Sequence, residues 1–324
     1  MKKLLILLML MTCTACSALP AEERAFAVAL CVEKSGGLWQ VHARIPTYQT
    51  GGGYQTVTGK GNTLDESLAD MDAAAPMHLH LSQLRLLAMH TGLGAEMPAV
   101  LHTLSDRMDV RPDCAVAVTD VPGKTLMEAL KPTTGARLSK SIDVLLDTRV
   151  EQGSILPSAL ADVIRVGERQ TPVLIALNMM DGKADISGGY ALGRDVLPLT
   201  PRETALLSLL RGDAKTLRLS LPGGAAEIRD AKARIRLEGL EAASVELTLT
   251  AVSSALTADG LEEALASELL ALMEKVTAAG CDVLGLARMA VLRTSDMAEW
   301  HELDWPARLR EIRWRVSVGV NGPA

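Results

Sequence analysis

Apolar and polar positions alternate most clearly in the second half of the chain. Residues 173–180 are mostly apolar and predict a strand, Asp181-Gly182 follows as a turn, and a strand toward Tyr190 returns, which predicts a β-hairpin. Further strands are predicted where apolar residues cluster or alternate, at 217–221, 231–237, 245–252 and 312–320. The second half therefore predicts a run of neighbouring strands.

Helix signals separate these strands. Thr200 can cap a helix, Pro201 suits its first position, Glu203 can reach back to the Thr200 amide, and Gly212 ends it. One apolar stripe predicts a long helix and consists of Leu261, Leu265, Leu269, Leu272 and Val276. Asp282 is predicted to cap another helix that extends through residue 293.

The first half alternates shorter elements. Strands are predicted at 25–32, 39–45, 54–57, 84–89 and 114–118. Helices are predicted from a capping box at 63–66 and at 95–107, 125–130 and 139–166, the last interrupted at Gly153 and Pro157.

Together these elements predict an α+β (mixed α/β), multi-domain chain of mostly antiparallel or mixed sheets with packed helices. The larger sheet and the long helices are expected in the C-terminal part. The predicted segments are a lipoprotein signal peptide (1–15), an N-terminal α/β domain (16–133), a middle domain formed by a helical connector and hairpin (134–198), and a C-terminal α/β domain (199–324).

The first residues indicate export. Lys2 and Lys3 precede an apolar run at 4–11, which is shorter than a membrane-spanning helix needs. Ala15 stands directly before Cys16, which suits a lipoprotein signal peptidase, so Cys16 is the predicted lipidation site. The alternative is a plain secretory signal that contains cysteines. No later segment has the length of an uncharged membrane span.

Composition narrows the classes of partner. The 324 residues are 48% hydrophobic and 22% charged, with a formal net charge of -6, which is typical of a folded globular chain and a poor match to a nucleic-acid binder. Aromatic residues make up 2%, which argues against a site that stacks sugars or bases.

No catalytic or cofactor-binding constellation is predicted. The histidines His78, His80, His90 and His102 lack matched Cys, Asp or Glu spacing, so solvent-facing or locally bonded roles are favoured over a metal site. No serine lies in a Gly-x-Ser-x-Gly elbow, and the glycines at 51–53 lack the Lys-Ser/Thr of a phosphate loop. Cys31, Cys114 and Cys281 are interpreted as buried thiols, and a disulfide among them stays open.

Trp300 and Trp305 flank a short acidic stretch near the C-terminus. Packing of the last helix onto the sheet is the favoured interpretation. The more specific alternative is that these two residues contact a partner protein.

Four ordered motifs resemble the Ger(x)C lipoproteins, the C subunits of spore nutrient germinant receptors. They are residues 24–34, 63–68, 79–87 and 279–288, followed by Trp305 and the alternating strand to Gly322. The chain departs from the family at Cys16, where the family has Gly-Cys-Trp-Asp and this chain has Ala-Cys-Ser-Ala. It also departs at 31–33, where Cys-Val-Glu stands in place of Gly-Ile/Val-Asp.

The resemblance implies a non-catalytic, three-domain α/β lipoprotein on the outer leaflet of the spore inner membrane. It implies a complex with an A subunit and a transporter-like B subunit, both embedded in the membrane, that triggers germination in response to amino acids, sugars or similar nutrients. The alternatives are a solute-binding lipoprotein of a transporter and a secreted hydrolase. The successive strands of the second half argue against the first of these, and the missing nucleophile–base–acid set argues against the second.

Overall fold

A computed structural model of the protein describes residues 23–47, 53–132, 136–167, 170–214, 216–221, 224–253, 255–294 and 297–321. These residues form three β-sheets with helices packed against them. The predicted α+β class with mixed sheets is confirmed. Within the described part, no helix is both long enough and apolar enough to span a bilayer.

Ten strands build the first two sheets. They are β1 (Arg24–Phe26), β2 (Ala29–Ser35), β3 (Leu38–Thr47), β4 (Gly53–Gly61), β5 (His78–His80), β6 (Leu86–His90), β7 (Ala115–Thr119), β8 (Val173–Met180), β9 (Lys183–Leu192) and β10 (Val196–Leu199). Strands β1 and β5 pair in parallel as a separate two-stranded sheet. The others form an eight-stranded sheet in the order β10-β9-β8-β7-β6-β2-β3-β4, parallel through its centre and antiparallel toward both edges.

Helices cover both faces of the eight-stranded sheet. They are α1 (Leu64–Ala74), α2 (Met97–Ser105) after a 3-10 turn (Thr91–Glu96), α3 (Gly123–Ala129), α4 (Leu138–Glu151) and α5 (Leu160–Gly167). Successive side chains of a strand point to opposite faces. Leu30 and Val32 of β2 therefore pack in one core with α1, α2 and α5, while Ala29 and Cys31 pack in another core with α3 and α4.

The apolar run at 25–32 is two strands, and the prediction of one continuous strand is wrong. The chain changes partners at Ala27 and Val28: the Ala27 amide donates to the His80 carbonyl at 3.0 Å, and the Val28 amide donates to the Arg44 carbonyl at 2.9 Å. The run therefore contributes strands to two different sheets. The change of sheet cannot be predicted from the apolar character of the run alone.

The remaining elements form a four-stranded sheet with helices. They are α6 (Pro201–Arg211), β11 (Thr216–Leu221), β12 (Gly224–Glu238), β13 (Ala242–Ser253), α7 (Ala258–Ala278), α8 (Leu286–Val291), α9 (Met297–Glu302), α10 (Trp305–Arg310) and β14 (Arg313–Asn321). The sheet order is β11-β12-β13-β14, with β14 parallel to β13. Helices α6 and α7 bury their apolar sides against one face of this sheet.

The larger sheet lies in the N-terminal part, so its predicted C-terminal location is wrong. The difference arises because β8, β9 and β10 join the sheet that β2 begins. The eight-stranded sheet thus takes strands from both the predicted N-terminal domain (16–133) and the predicted middle domain (134–198). The boundaries between the segments stay a prediction.

The predicted turns and caps are confirmed in part. Thr200 and Glu203 form the reciprocal capping box, and Gly212 ends α6 at φ 73°, as predicted. At α1 the Thr63 hydroxyl accepts from the Glu66 amide, but the Glu66 carboxylate accepts from the Asn62 amide at 2.8 Å instead of closing the box. The Asp181-Gly182 hairpin is confirmed, with both residues at positive φ.

Candidate functional site

The structure places the predicted site residues in different situations. Cys16 lies outside the described residues, so its lipidation stays a prediction. Trp305 opens α10 and is 8% exposed, whereas Trp300 of α9 is half-buried. Their ring centroids lie 5.8 Å apart at an interplanar angle of 40°. The two tryptophans therefore form one aromatic pair, and their contact with a partner stays a prediction.

Asp282 connects this aromatic pair to the start of α8. Its carboxylate accepts the Leu286 amide at 2.7 Å, the Ala287 amide at 2.6 Å and the Trp305 indole N–H at 3.3 Å. Burial raises the pKa of Asp282, and the three donors partly oppose that rise. The N-cap residue of α8 is Gly285, not the predicted Asp282. The Asp282 carboxylate nevertheless accepts the amides of the first two helical residues, and it also binds the buried tryptophan.

The backbone of Asp282 connects the segment between α7 and α8 to the segment that leads into β8. Its amide donates to Thr171 Oγ1 at 2.9 Å, and its carbonyl accepts the Thr171 amide at 2.9 Å. Thr171 lies two residues before β8 of the eight-stranded sheet. The tryptophan pair therefore lies beside a fixed connection between the two halves of the chain.

A second polar cluster lies in the N-terminal sheet and was missed by the sequence analysis. His42 Nε2 donates to Glu33 Oε1 at 3.0 Å, and His42 Nδ1 lies 2.8 Å from Thr58 Oγ1. The other Glu33 oxygen accepts the Gly123 amide at 2.7 Å. These bonds connect β2, β3, β4 and the start of α3. The apolar residues that alternate at 39–45 place His42 on the opposite face of the strand, and the alternation does not show that this face is buried. In the structure both faces of the sheet are buried, so His42 is buried as well.

The His42 hydrogen bond holds the pKa of Glu33 below its ordinary value, against an opposing contribution from burial. A Thr–His–carboxylate chain has the residue types of an acyl-transfer triad. However, His42 is only 2% exposed and lines none of the described cavities. The hydrogen bonds of the cluster account for it as a structural connection between strands and helix.

The Glu33→Gln variant tests this connection. A carboxamide offers one oxygen to two buried donors, so we expect a loss of about 2 kcal/mol in the free energy of unfolding at neutral pH. Because the folded-state pKa of Glu33 is lowered, its contribution is present above its ordinary pKa of 4.5 and is lost as the pH falls from there toward the folded-state value. The difference in free energy of unfolding between wild type and Glu33→Gln, measured by urea denaturation, should therefore become smaller below pH 4.5.

Glu311→Gln is the matched control, since the Glu311 side chain is 65% exposed and pairs with Arg308 on the surface. We expect it to change stability by less than about 0.5 kcal/mol at every pH. If the difference in free energy of unfolding between wild type and Glu33→Gln stays constant or grows on acidification, the structural role of the ionised Glu33 carboxylate is contradicted.

Other predicted candidates have local roles. His90 accepts the Gly92 amide, His80 lies 2.8 Å from Ser82 Oγ, and His78 is exposed beside Asp72. Among the described residues no group of three or more His, Cys, Asp or Glu could hold a metal ion. Cys31, Cys114 and Cys281 are buried free thiols, and burial raises the pKa of each, that of Cys114 to about 12.

Comparisons with known proteins agree with this fold. The family model described as the spore germination protein N-terminal domain matches residues 18–179, which is half of the chain. The chain is also similar to a solved structure described as the crystal structure of the GerBC protein, with a TM-score of 0.57 and 13% identity over 91% of this chain and 97% of that chain. No curated protein matches the sequence. The predicted resemblance is confirmed, and the chain belongs to the Ger(x)C spore germination protein family.

Proposed function

We propose that this chain is the C subunit of a nutrient germinant receptor, working in germinant response or receptor assembly without catalysis of its own. It would be anchored through a lipid on Cys16 to the outer leaflet of the spore inner membrane, beside membrane-embedded A and B subunits. The observation that carries the proposal is the family match across residues 18–179. The shared fold with the GerBC protein over 91% of the chain supports it.

The described polar clusters support a non-catalytic role. Glu33 and His42 are occupied in connecting strands and helix, and Asp282 is occupied in accepting the first amides of α8 and binding Trp305. Glu262, in the first turns of α7, accepts the Val320 amide of β14 at 2.7 Å. Each of these carboxylates thus has a structural role in the fold.

The fold also favours a complex subunit over a solute-binding lipoprotein. Solute-binding proteins close two lobes around a hinge, which requires the lobes to separate. Here the reciprocal Thr171–Asp282 bonds connect the segment that leads into β8 to the segment between α7 and α8. The half-buried Trp300 and the outward Leu292 of the same region, 82% exposed, offer an apolar contact for another chain.

Replacement of Cys16 tests the anchor. We expect wild-type chain in the inner-membrane fraction of disrupted spores and the Cys16→Ala chain in the soluble fraction, because the acyl chains supply the membrane affinity. Cys13→Ala is the matched control, since Cys13 lies three residues earlier in the same segment, and it should leave the membrane association unchanged. Equal membrane association of the Cys16→Ala chain, or loss with Cys13→Ala instead, would contradict the anchor at Cys16.

A further inference from the structure

A cavity of about 900 Å³ lies where the end of β3, the start of β4 and the N-terminus of α4 meet. Its apolar walls include Phe26, Val28 and Pro46. Its polar lining includes Arg44, Tyr54 and Arg137. Among the described residues that line it there is no Asp or Glu, so its charged lining is entirely cationic.

Arg44 is the buried charge of this cavity. The residue is 9% exposed, and its Nε has no hydrogen-bond partner. Its Nη1 donates to Thr56 Oγ1 at 3.1 Å, and its guanidinium lies 5.9 Å from the Tyr54 ring centroid. Within the described part of the chain it forms no salt bridge. The charge of the Glu128 carboxylate acts on Arg44 without a direct ion pair, and burial outweighs it, since the pKa of Arg44 is lowered. A buried guanidinium whose Nε has no acceptor is costly, and an anion in the adjoining cavity would supply that acceptor.

The N-terminus of α4 adds a second positive group beside Arg44. This helix has 14 residues, and its N-cap residue Arg137 provides no side-chain hydrogen bond to the first turn. The Leu138 amide donates instead to the Tyr54 hydroxyl at 2.8 Å. Tyr54 therefore contacts the N-terminus of α4 through its hydroxyl and the Arg44 guanidinium through its ring. This places the positive end of the helix dipole near Arg44. The exposed Arg137 guanidinium lies at the rim.

We propose that this cavity binds a small organic carboxylate with an apolar body. The guanidinium and the helix N-terminus match a carboxylate, and the Phe26, Val28 and Pro46 walls match a hydrocarbon body better than a hydrated phosphate. The proposal concerns the isolated chain and does not depend on the receptor role. Its failure would therefore leave the proposed function intact, and the reverse also holds.

The test uses the full chain purified in detergent and titrated with isovalerate, the neutral isovaleramide and inorganic phosphate in a calorimeter. We expect saturable binding of isovalerate, with isovaleramide and phosphate each weaker by about tenfold or more. Arg44→Met should weaken isovalerate binding by about tenfold or more, since it removes the buried charge. Arg85→Met is the matched control: Arg85 is also partly buried with an unpartnered Nε, but it lines a different cavity, and binding should be unchanged.

Arg137→Gln keeps the proposal testable if Arg44→Met fails to fold. This change removes an exposed rim charge, and we expect isovalerate binding to weaken about threefold without loss of structure. Absence of saturable isovalerate binding to the wild-type chain would overturn the proposal. Equal binding of isovaleramide, tighter binding of phosphate, or binding that survives both arginine replacements would overturn it as well.

Discussion

Gly59→Ala should destabilise the protein by at least about 3 kcal/mol, because overpacking against rigid backbone cannot be relieved by a side-chain rotation. A Cβ added at Gly59 of β4 would lie 2.1 Å from the Ser67 carbonyl oxygen and 2.4 Å from the Met71 amide nitrogen. Helix α1 therefore lies directly on the backbone of β4. To accept the methyl group, the whole helix must move away from the sheet and loosen the packing of the buried Leu68 and Met71.

The measurement is urea denaturation followed by circular dichroism, with Gly319→Ala as the matched control. Gly319 also lies in a strand, β14, but an added Cβ there meets nothing within 4 Å. We expect the control to stay within about 0.5 kcal/mol of wild type, since alanine tolerates a strand conformation in open space. A Gly59→Ala variant as stable as Gly319→Ala would contradict the close contact of α1 with β4.

Asp282→Ala should cost about 3 kcal/mol, because it leaves three buried donors without their acceptor. These are the Leu286 and Ala287 amides and the Trp305 indole N–H. The loss is smaller than the sum of three charged hydrogen bonds, because burial of the carboxylate already disfavours its charged form, as its raised pKa indicates. We also expect the Trp305 fluorescence environment to become more polar as α10 loosens.

Asp304→Ala is the control for the Asp282 result. Asp304 is an aspartate cap, accepting the Ala307 amide at 3.2 Å, but it is exposed and has no tryptophan partner. Loss of an exposed cap costs about 1 kcal/mol. Similar losses for the two variants would contradict the view that Asp282 fixes the tryptophan pair as well as accepting the first amides of α8.

Features set by neighbouring residues could be predicted from the sequence. The box of Thr200 and Glu203, the Gly212 stop and the Asp181-Gly182 turn all depend on contacts within four residues. The leucine stripe of α7 was also predicted, and all five of its residues are buried in the C-terminal core. In these segments local geometry and the tertiary fold favour the same conformation.

Features set by distant pairing could not be predicted in this way. The order of the eight strands brings β8 beside β7 across more than fifty residues, and apolar runs on both faces of a sheet carry no register signal. The Glu33–His42 bond, the Trp305–Asp282 bond and the burial of Arg44 likewise join residues whose proximity only the fold creates. The pair Gly59 and Gly61, two residues apart on one face of β4, was the available signal for the close approach of α1.

The proposed role in a nutrient germinant receptor can be measured by nutrient-triggered germination of spores that lack this chain. We expect selective loss of the response to one class of nutrient, with restoration by the wild-type chain and not by the Cys16→Ala chain. Normal germination of the deletion spores in every nutrient mixture would contradict the proposed role.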